Sequence, residues 1–452
     1  MTVSELLRVR DPVHGFIPYS QEEARLIDSS ALQRLRGIKQ LAMTSLVYPG
    51  ATHTRFEHSI GVMHIAGRVA EKVELKKKER RLVRLAALLH DIGHLPFSHA
   101  GEAAAAALTP KLTEYGEEAH EKITAALIQY DPEISGVLTE RDRGRILGVL
   151  AKDGETKPLL WQIISYDLDA DKLDYLLRDS LMAGVKYGVF DIDRMIDTFV
   201  KHGKGDDQHL AVRKEDLPCV EQVILARYYM SEQVYRHPVR RITDAMLKHA
   251  IISSAKLAGE PGRRLSRLFR CEVESASWRS QFLSSNDASV LSDLIQTPAR
   301  TLCGKMARRL VTRRLLKHVF DCRMKDIPEA GVSWRERLSQ EPERQAALAK
   351  RLAKSLEMDD KALLLLDVRQ QGNPLYRDPA LPLENDIRVL DEDGRDERLG
   401  DIEGSLSQKV KVEEEAQLCV YAAADGATRG KRRQMYRAIR TELSNAAREA
   451  KP

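Results

Sequence analysis

The sequence predicts a mainly α-helical protein with a small α/β C-terminal region, on three observations. Apolar residues recur three and four apart along most of the chain, aromatic residues make up only 5% of its 452 residues, and strand-like runs are few. In chain order, the helical pattern covers Ser59 to Leu75, Arg81 to Leu89, Glu118 to Tyr130, Leu159 to Ala183 and Val220 to Leu257. Strands are expected at His209 to Val212, after the charged turn HGKGDDQ, and at Ile387 to Leu390 and Leu418 to Ala422. Turn-forming residues at Gly259-Glu260-Pro261-Gly262 and from Gln370 to Asp386 break the pattern. They divide the chain into a helical body over 1–255, a helical continuation over 256–368 and a mixed α/β tail over 369–452. The tail ends in a basic amphipathic helix, GKRRQMYRAIRTELSNAAREAKP.

Charged residues are 31% of the chain and the net charge is +5, a mild excess that suits a protein handling anions such as phosphates. The excess is too small for the length to demonstrate nucleic-acid binding. The five cysteines are scattered, odd in number and form no CxxC pair, which argues against a disulfide framework or a cysteine zinc site. The N-terminus has no apolar signal core. No stretch approaches the ~20 apolar residues needed to cross a bilayer. The expectation is a soluble cytoplasmic protein without membrane contacts.

The densest chemistry lies in RFEHS (Arg55 to Ser59), LLHDIGHLPFSH (Leu88 to His99), AHEK (Ala119 to Lys122) and DADKLDYLLRD (Asp169 to Asp179). Only 13 histidines occur in the chain, and His58, His90, His94, His99 and His120 cluster beside carboxylates. Adjacent residues on a helix point about 100° apart, so His90 and Asp91 can reach one ion beside the helix. Imidazole nitrogen with carboxylate oxygen suits a divalent transition metal such as Fe, Mn, Zn or Co. Leu88 and Leu89 make that stretch apolar and dry. His94 lies four residues after His90. Gly93 and Pro96 then break the helix, so that HLPFSH folds over the site. A lone HD dipeptide is more often a surface pair; the upstream His58 and the downstream DxDKxDY segment change that balance. Asp171, Tyr175 and Asp179 fall on one helical face with Lys172 beside them. The bland alternative is a solvated charged face. Leu173, Leu176, Leu177 and Leu181 oppose it, because a charge stripe on a buried helix lines a cavity.

DPVHGFI, LQRLRGIKQL, YPGATHTRFEHSIGV, HDIGHLPFSH and DLDADKLDYLLRDS together resemble the HD-domain deoxynucleoside triphosphate triphosphohydrolases, including the mammalian SAM-and-HD-domain enzyme and its shorter bacterial relatives. The likeness runs from about Arg8 to about Lys317 and weakens after residue 250. It implies an HD-domain helical phosphohydrolase core over 1–255 and a contribution of 256–368 to an oligomer or regulatory site. No SAM domain is expected ahead of motifs that begin almost at the N-terminus.

By the resemblance, His58, His90, Asp91 and Asp171 are metal ligands. Arg55, Lys172 and Arg227 match residues that grip a triphosphate, with Mg²⁺ accompanying it. Tyr235 packs on a deoxyribose and leaves no room for a 2′-hydroxyl. Gln40 and Leu41 touch sugar and base, and Tyr175 and Asp179 the sugar, Asp179 at its 3′-hydroxyl. His94, His99 and His120 surround the scissile phosphate, with His99 suited to protonate the leaving 5′-oxygen. A helix-surface position is the alternative for His120.

The resemblance further implies a homo-oligomer, dimer or tetramer, activated by GTP or a dNTP. Asp28, Gln33 and Arg36 match guanine-reading positions, and Arg313 and Lys317 match phosphate-gripping ones. Gln33 and Arg36 are otherwise structural helix residues. Two departures bear on that pocket: Leu7 stands where a lysine is expected, and Pro238 follows His237 where a basic residue is expected. Competing readings are another HD reaction (nucleotidase, cyclic-nucleotide phosphodiesterase or alarmone hydrolase) and a nucleotide-sensing or nucleic-acid-binding subunit using the basic tail, Lys431, Arg432, Arg433, Arg437 and Arg440.

Overall fold

The computed structural model describes residues 7–109, 119–327, 330–358, 363–371, 387–403, 405 and 415–449. The chain is mainly helical, as expected. Its strands are β1 (Leu7–Asp11), β2 (Gly15–Tyr19), β3 (Phe199–His202), β4 (His209–Arg213), β5 (Lys317–Arg323), β6 (Leu364–Gln371), β7 (Arg388–Leu390), β8 (Asp396–Arg398) and β9 (Glu415–Ala422). The helices used below are α1 (Gln21–Ile27), α2 (Ser30–Arg34), α3 (Arg55–Lys72), α4 (Lys77–Leu89), α5 (His99–Leu108), α6 (Ala119–Tyr130), α7 (Ala170–Ala183), α8 (Leu217–Met230), α9 (Pro238–Ser254), α10 (Leu302–Val311), α11 (Pro342–Ser355) and α12 (Arg429–Glu449). Among the described residues no helix is long and apolar enough to cross a membrane.

Two compact units form, each from discontinuous segments: the described residues of Met1–Tyr235, Arg267–Val290 and Pro374–Lys411, and those of Arg236–Ser266, Leu291–Asn373 and Val412–Pro452. No chain-order boundary outlines either unit. In the first, α3 and α4 form the central pair. Leu82, Leu85, Leu88 and Leu89 of α4 and Val62, Met63, Ile65 and Val69 of α3 are buried. Each such side chain contributes about 1.5–3 kcal/mol by leaving water. A β1–β2 hairpin and a sheet of order β3-β4-β7-β8 complete this unit. The second unit packs α11 and α12 on a sheet of order β5-β9-β6, through Leu352, Ile439, Leu443, Leu418 and Val420.

Several elements differ from the sequence reading. The helix expected over Leu159 to Ala183 is two, Pro158–Gln162 and α7, because Asp169 caps a new helix: its carboxylate accepts the Lys172 N–H at 2.7 Å. Leu181, expected to be buried, is 52% exposed at the end of α7. The helix expected over Val220 to Leu257 ends at Met230, passes through a π-helical turn (Ser231–Tyr235), and restarts with Pro238 in the first turn of α9. Two strands, β5 and β6, lie in the segment expected to be wholly helical; Leu364-Leu365-Leu366 is a short apolar run whose periodicity does not separate buried strand from helix. The expected strands at His209, Ile387 and Leu418 correspond to β4, β7 and β9, and the basic helix to α12. The turn-rich segment Gln370 to Asp386 lies outside the described residues from 372 onward.

Candidate metal centre

Three helix ends bring the predicted ligands together. Thr54 precedes α3, and its N–H donates to Glu57 at 3.0 Å; that capped first turn presents Arg55 and His58 inward. His90 is the C-terminal cap of α4 rather than a residue within it, so the HD pair sits on the turn leaving the helix. The negative end of the α4 dipole thus faces the site and favours a cation. Asp171 lies in the first turn of α7. His58 Nε2 is 2.9 Å from Asp171 and 3.8 Å from Asp91; His90 Nε2 is 3.3 Å from Asp91 and 3.9 Å from Asp171.

These residues fit a divalent metal. Both rings are anchored at Nδ1, His58 by Asp174 at 2.8 Å and His90 by the Ala87 carbonyl at 2.7 Å, so each presents Nε2 to the carboxylates. Among the described residues, the buried His90 Nε2 has no hydrogen-bond partner. Burial opposes a proton on His58, yet hydrogen bonds to Asp171 and Asp174 raise its pKa to about 10. Burial likewise opposes charge on Asp171, but His58 and His90 lower it to about 2. A pocket that draws a proton this strongly also draws a cation. His58, His90 and Asp171 have ligand atoms mutually close enough to hold an ion, and so do Asp91, His94 and His120. Titrating Mn²⁺ into chelator-treated protein is expected to raise its unfolding temperature, and unchanged unfolding would count against a metal site.

A second cluster adjoins the first. His94 Nε2 lies 3.0 Å from Asp91, and its other nitrogen bonds Glu102. The His120 ring stacks on His94 at 4.0 Å. His99, the first residue of α5, is 62% exposed and holds Glu102 at 3.2 Å through Nδ1. Glu102 is therefore the hub of the three histidines, and the sequence reading missed it. Burial would raise its carboxyl, but His94, His120 and His99 hold it well below the usual range. Phe97 and Ser98 adopt left-handed backbone (φ 63° and 50°) to make this turn, held by the Phe97 N–H on Asp287 at 2.6 Å.

The remaining predicted residues flank the ligands. Arg55 donates to Asp91 at 2.5 Å and Ser98 at 2.8 Å. Lys172 Nζ bonds Asp169 and the Tyr166 carbonyl, and the charge of Arg227 acts on both Lys172 and Tyr175. Asp179 accepts from Tyr235 at 2.8 Å and pairs with His53 at 2.7 Å; the Tyr175 and Tyr235 rings meet edge to face at 6.1 Å. His53 was missed. Gln40 and Leu41 are buried, and among the described residues Gln40 Oε1 has no hydrogen-bond partner. Asp28 is exposed at the end of α1. Gln33, on α2, bonds the Ile27 carbonyl and accepts from Arg36, whose guanidinium lies 3.6 Å over the Phe56 ring. Arg313 and Lys317 are exposed in the second unit, Lys317 on a strand.

The HD domain family model matches residues 55–178, and that of the HD associated region matches residues 190–435. An uncharacterized protein of Methanocaldococcus jannaschii is 39% identical over 247 residues, 54% of this chain and 49% of that protein. The deoxynucleoside triphosphate triphosphohydrolase SAMHD1 of Bos taurus is 29% identical over 292 residues, 57% of this chain and 49% of that protein. The chain spans about half the length of the curated relatives it matches. Among solved structures, a hypothetical protein from Aquifex aeolicus superposes with a TM-score of 0.68 at 28% identity, covering 97% of this chain and 100% of that one. A phosphohydrolase from Bacteroides thetaiotaomicron shares the fold, with a TM-score of 0.72 at 23% identity over 92% of this chain and 100% of that one.

Proposed function

The chain belongs to the HD-domain phosphohydrolase family, and from that premise we propose that it is a metal-dependent triphosphohydrolase, converting a deoxynucleoside triphosphate and water to deoxynucleoside and triphosphate. One observation carries the substrate: Asp171, Tyr175 and Asp179 share a face of α7, with Tyr235 hydrogen-bonded to Asp179. An aromatic and carboxylate wall of this kind would suit a sugar beside the proposed metal ligands, with the cations Lys172 and Arg227 next to it.

His58, His90, Asp91 and Asp171 would hold the divalent metal, which lowers the pKa of water and supplies a nucleophile near neutral pH. Arg55, Lys172 and Arg227 offset charge on the phosphate oxygens, with Mg²⁺ accompanying the triphosphate. His99, steadied at Nδ1 by Glu102 and open to solvent, would give the leaving 5′-oxygen its proton. His94 and His120, joined through Glu102, orient the group. Asp179 accepts from the 3′-hydroxyl, and Tyr235 excludes a 2′-hydroxyl. Gln40 and Leu41 contact sugar and base.

A nucleotide-activated homo-oligomer using Asp28, Gln33, Arg36, Arg313 and Lys317 belongs to the same proposal. The local bonds of Gln33 and Arg36 equally support a structural role for that pair. The test is a dNTP and NTP panel with Mn²⁺ or Mg²⁺, with and without GTP, and identification of products. Deoxynucleoside with triphosphate is expected; monophosphate with pyrophosphate, or free phosphate alone, overturns the proposal. Tyr235→Ala is expected to narrow the dNTP-over-NTP preference in kcat/KM by about tenfold or more. An unchanged ratio would remove Tyr235 from sugar selection.

A further inference from the structure

The motif DPVHG carries none of the roles assigned so far, yet the fold turns it toward the metal ligands. Asp11 ends β1, and its Oδ1 accepts the N–H groups of Val13 and His14 at 2.8 and 2.9 Å, which closes the hairpin turn. Gly15 follows at φ 74°. The turn drives the His14 side chain inward until it is only 2% exposed. There its Nε2 meets Asp174 Oδ1 at 2.6 Å.

Asp174 is the centre of a closed arrangement. Its Oδ1 contacts His14 Nε2 and accepts from Arg178 Nη2 at 2.9 Å; its Oδ2 contacts His58 Nδ1 at 2.8 Å and accepts from Arg178 Nε at 2.8 Å. A carboxylate has about four lone-pair sites, and four donors occupy them. Arg178 is fixed in turn by Asp11 Oδ2 at 2.8 Å. The side chains involved are all buried, where each unmet charge would be costly. Space for it comes from α3: a Cβ on Gly61 would stand 1.9 Å from Asp174 Oδ1 and 2.5 Å from Arg178 Nη2. Gly61 lies three residues after His58, on the same side of the helix.

We propose that Asp174, His14, Arg178 and Asp11 form a positioning unit for the metal centre, in which the N-terminal hairpin fixes the tautomer and orientation of His58. It rests on the reading of His58 as a metal ligand. The proton held on His58 Nδ1 leaves Nε2 as the donor atom, and a ring pinned by a fully coordinated carboxylate cannot swing from its partners. DPVHG is thereby a distant part of the metal site, and Gly61 is the notch that admits it.

The test is Co²⁺ titration of the chelator-treated 452-residue chain, read as affinity and as the visible absorption band of the bound ion. His58→Ala tests the underlying reading, and wild-type Co²⁺ affinity in that variant would overturn both. Given its loss there, Asp174→Asn and His14→Ala are each expected to weaken Co²⁺ binding by about tenfold or more and to alter the band. His14→Gln, which restores a donor near Nε2, is expected to recover most of both. Gly61→Ala removes no functional group and is expected to act in the same direction. If Asp174→Asn does not fold, the His14→Ala and His14→Gln pair decides. Wild-type affinity and band in His14→Ala, or equal loss in His14→Ala and His14→Gln, overturns the inference.

Discussion

Asp91→Ala is expected to abolish the proposed hydrolysis, with kcat reduced on the order of 10³-fold or more, because the proposal makes the residue a metal ligand in addition to its contacts with a cation and two histidines. Its Oδ1 faces His90 and His94 at 3.3 and 3.0 Å, and its Oδ2 faces Arg55 at 2.5 Å. The variant loses a proposed ligand and also strands a buried guanidinium. Breaking a buried pair from one side costs about 3–5 kcal/mol. Urea unfolding in the presence of chelator isolates that contribution from the metal's. Full stability with lost activity would mean that Arg55 finds water or another partner. Retained activity would remove Asp91 from the centre.

Gly93→Ala is expected to impair the proposed hydrolysis without altering any group proposed to touch metal or substrate. A Cβ at Gly93 would stand 2.2 Å from the His120 carbonyl oxygen and 2.4 Å from the Thr124 nitrogen, both backbone atoms of α6. The Gly93 N–H donates to Thr124 Oγ1 at 3.0 Å, and Thr124 Oγ1 donates to the His90 carbonyl at 3.1 Å. The added methyl pushes α6 away, loosens both bonds and takes His120 off its stack with His94. Overpacking of this kind costs about 1–3 kcal/mol. Displacing His120 by a fraction of an ångström is expected to cost about tenfold or more in kcat. Thermal unfolding and steady-state rates check the two parts, and wild-type values in both would show that α6 yields freely.

The four candidate ligands were legible because their residue types are rare and their motifs ordered: a histidine upstream, an HD pair, and an aspartate in a distinctive helical segment. Glu102 was not legible, because one glutamate in an alanine-rich helix looks like a solvated residue until three histidines are seen around it. Asp174 and Arg178 were hidden for a related reason. Within DADKLDYLLRD they read as ordinary charges on α7, and only the hairpin and the notch at Gly61 reveal that they face inward. The helix class was plain from periodicity, whereas the breaks near Asp169 and Tyr235 depend on capping and on a π-helical turn that periodicity does not carry. Strand β5 pairs with β9 nearly a hundred positions onward, and such a long-range partner leaves little local trace.

The most direct measurement is a crystal structure of the Mn²⁺-loaded protein with anomalous scattering data collected at the manganese edge. The expected result is an anomalous peak in contact with His58, His90, Asp91 and Asp171. A peak seated only among Asp91, His94 and His120, or none at either cluster, would contradict it.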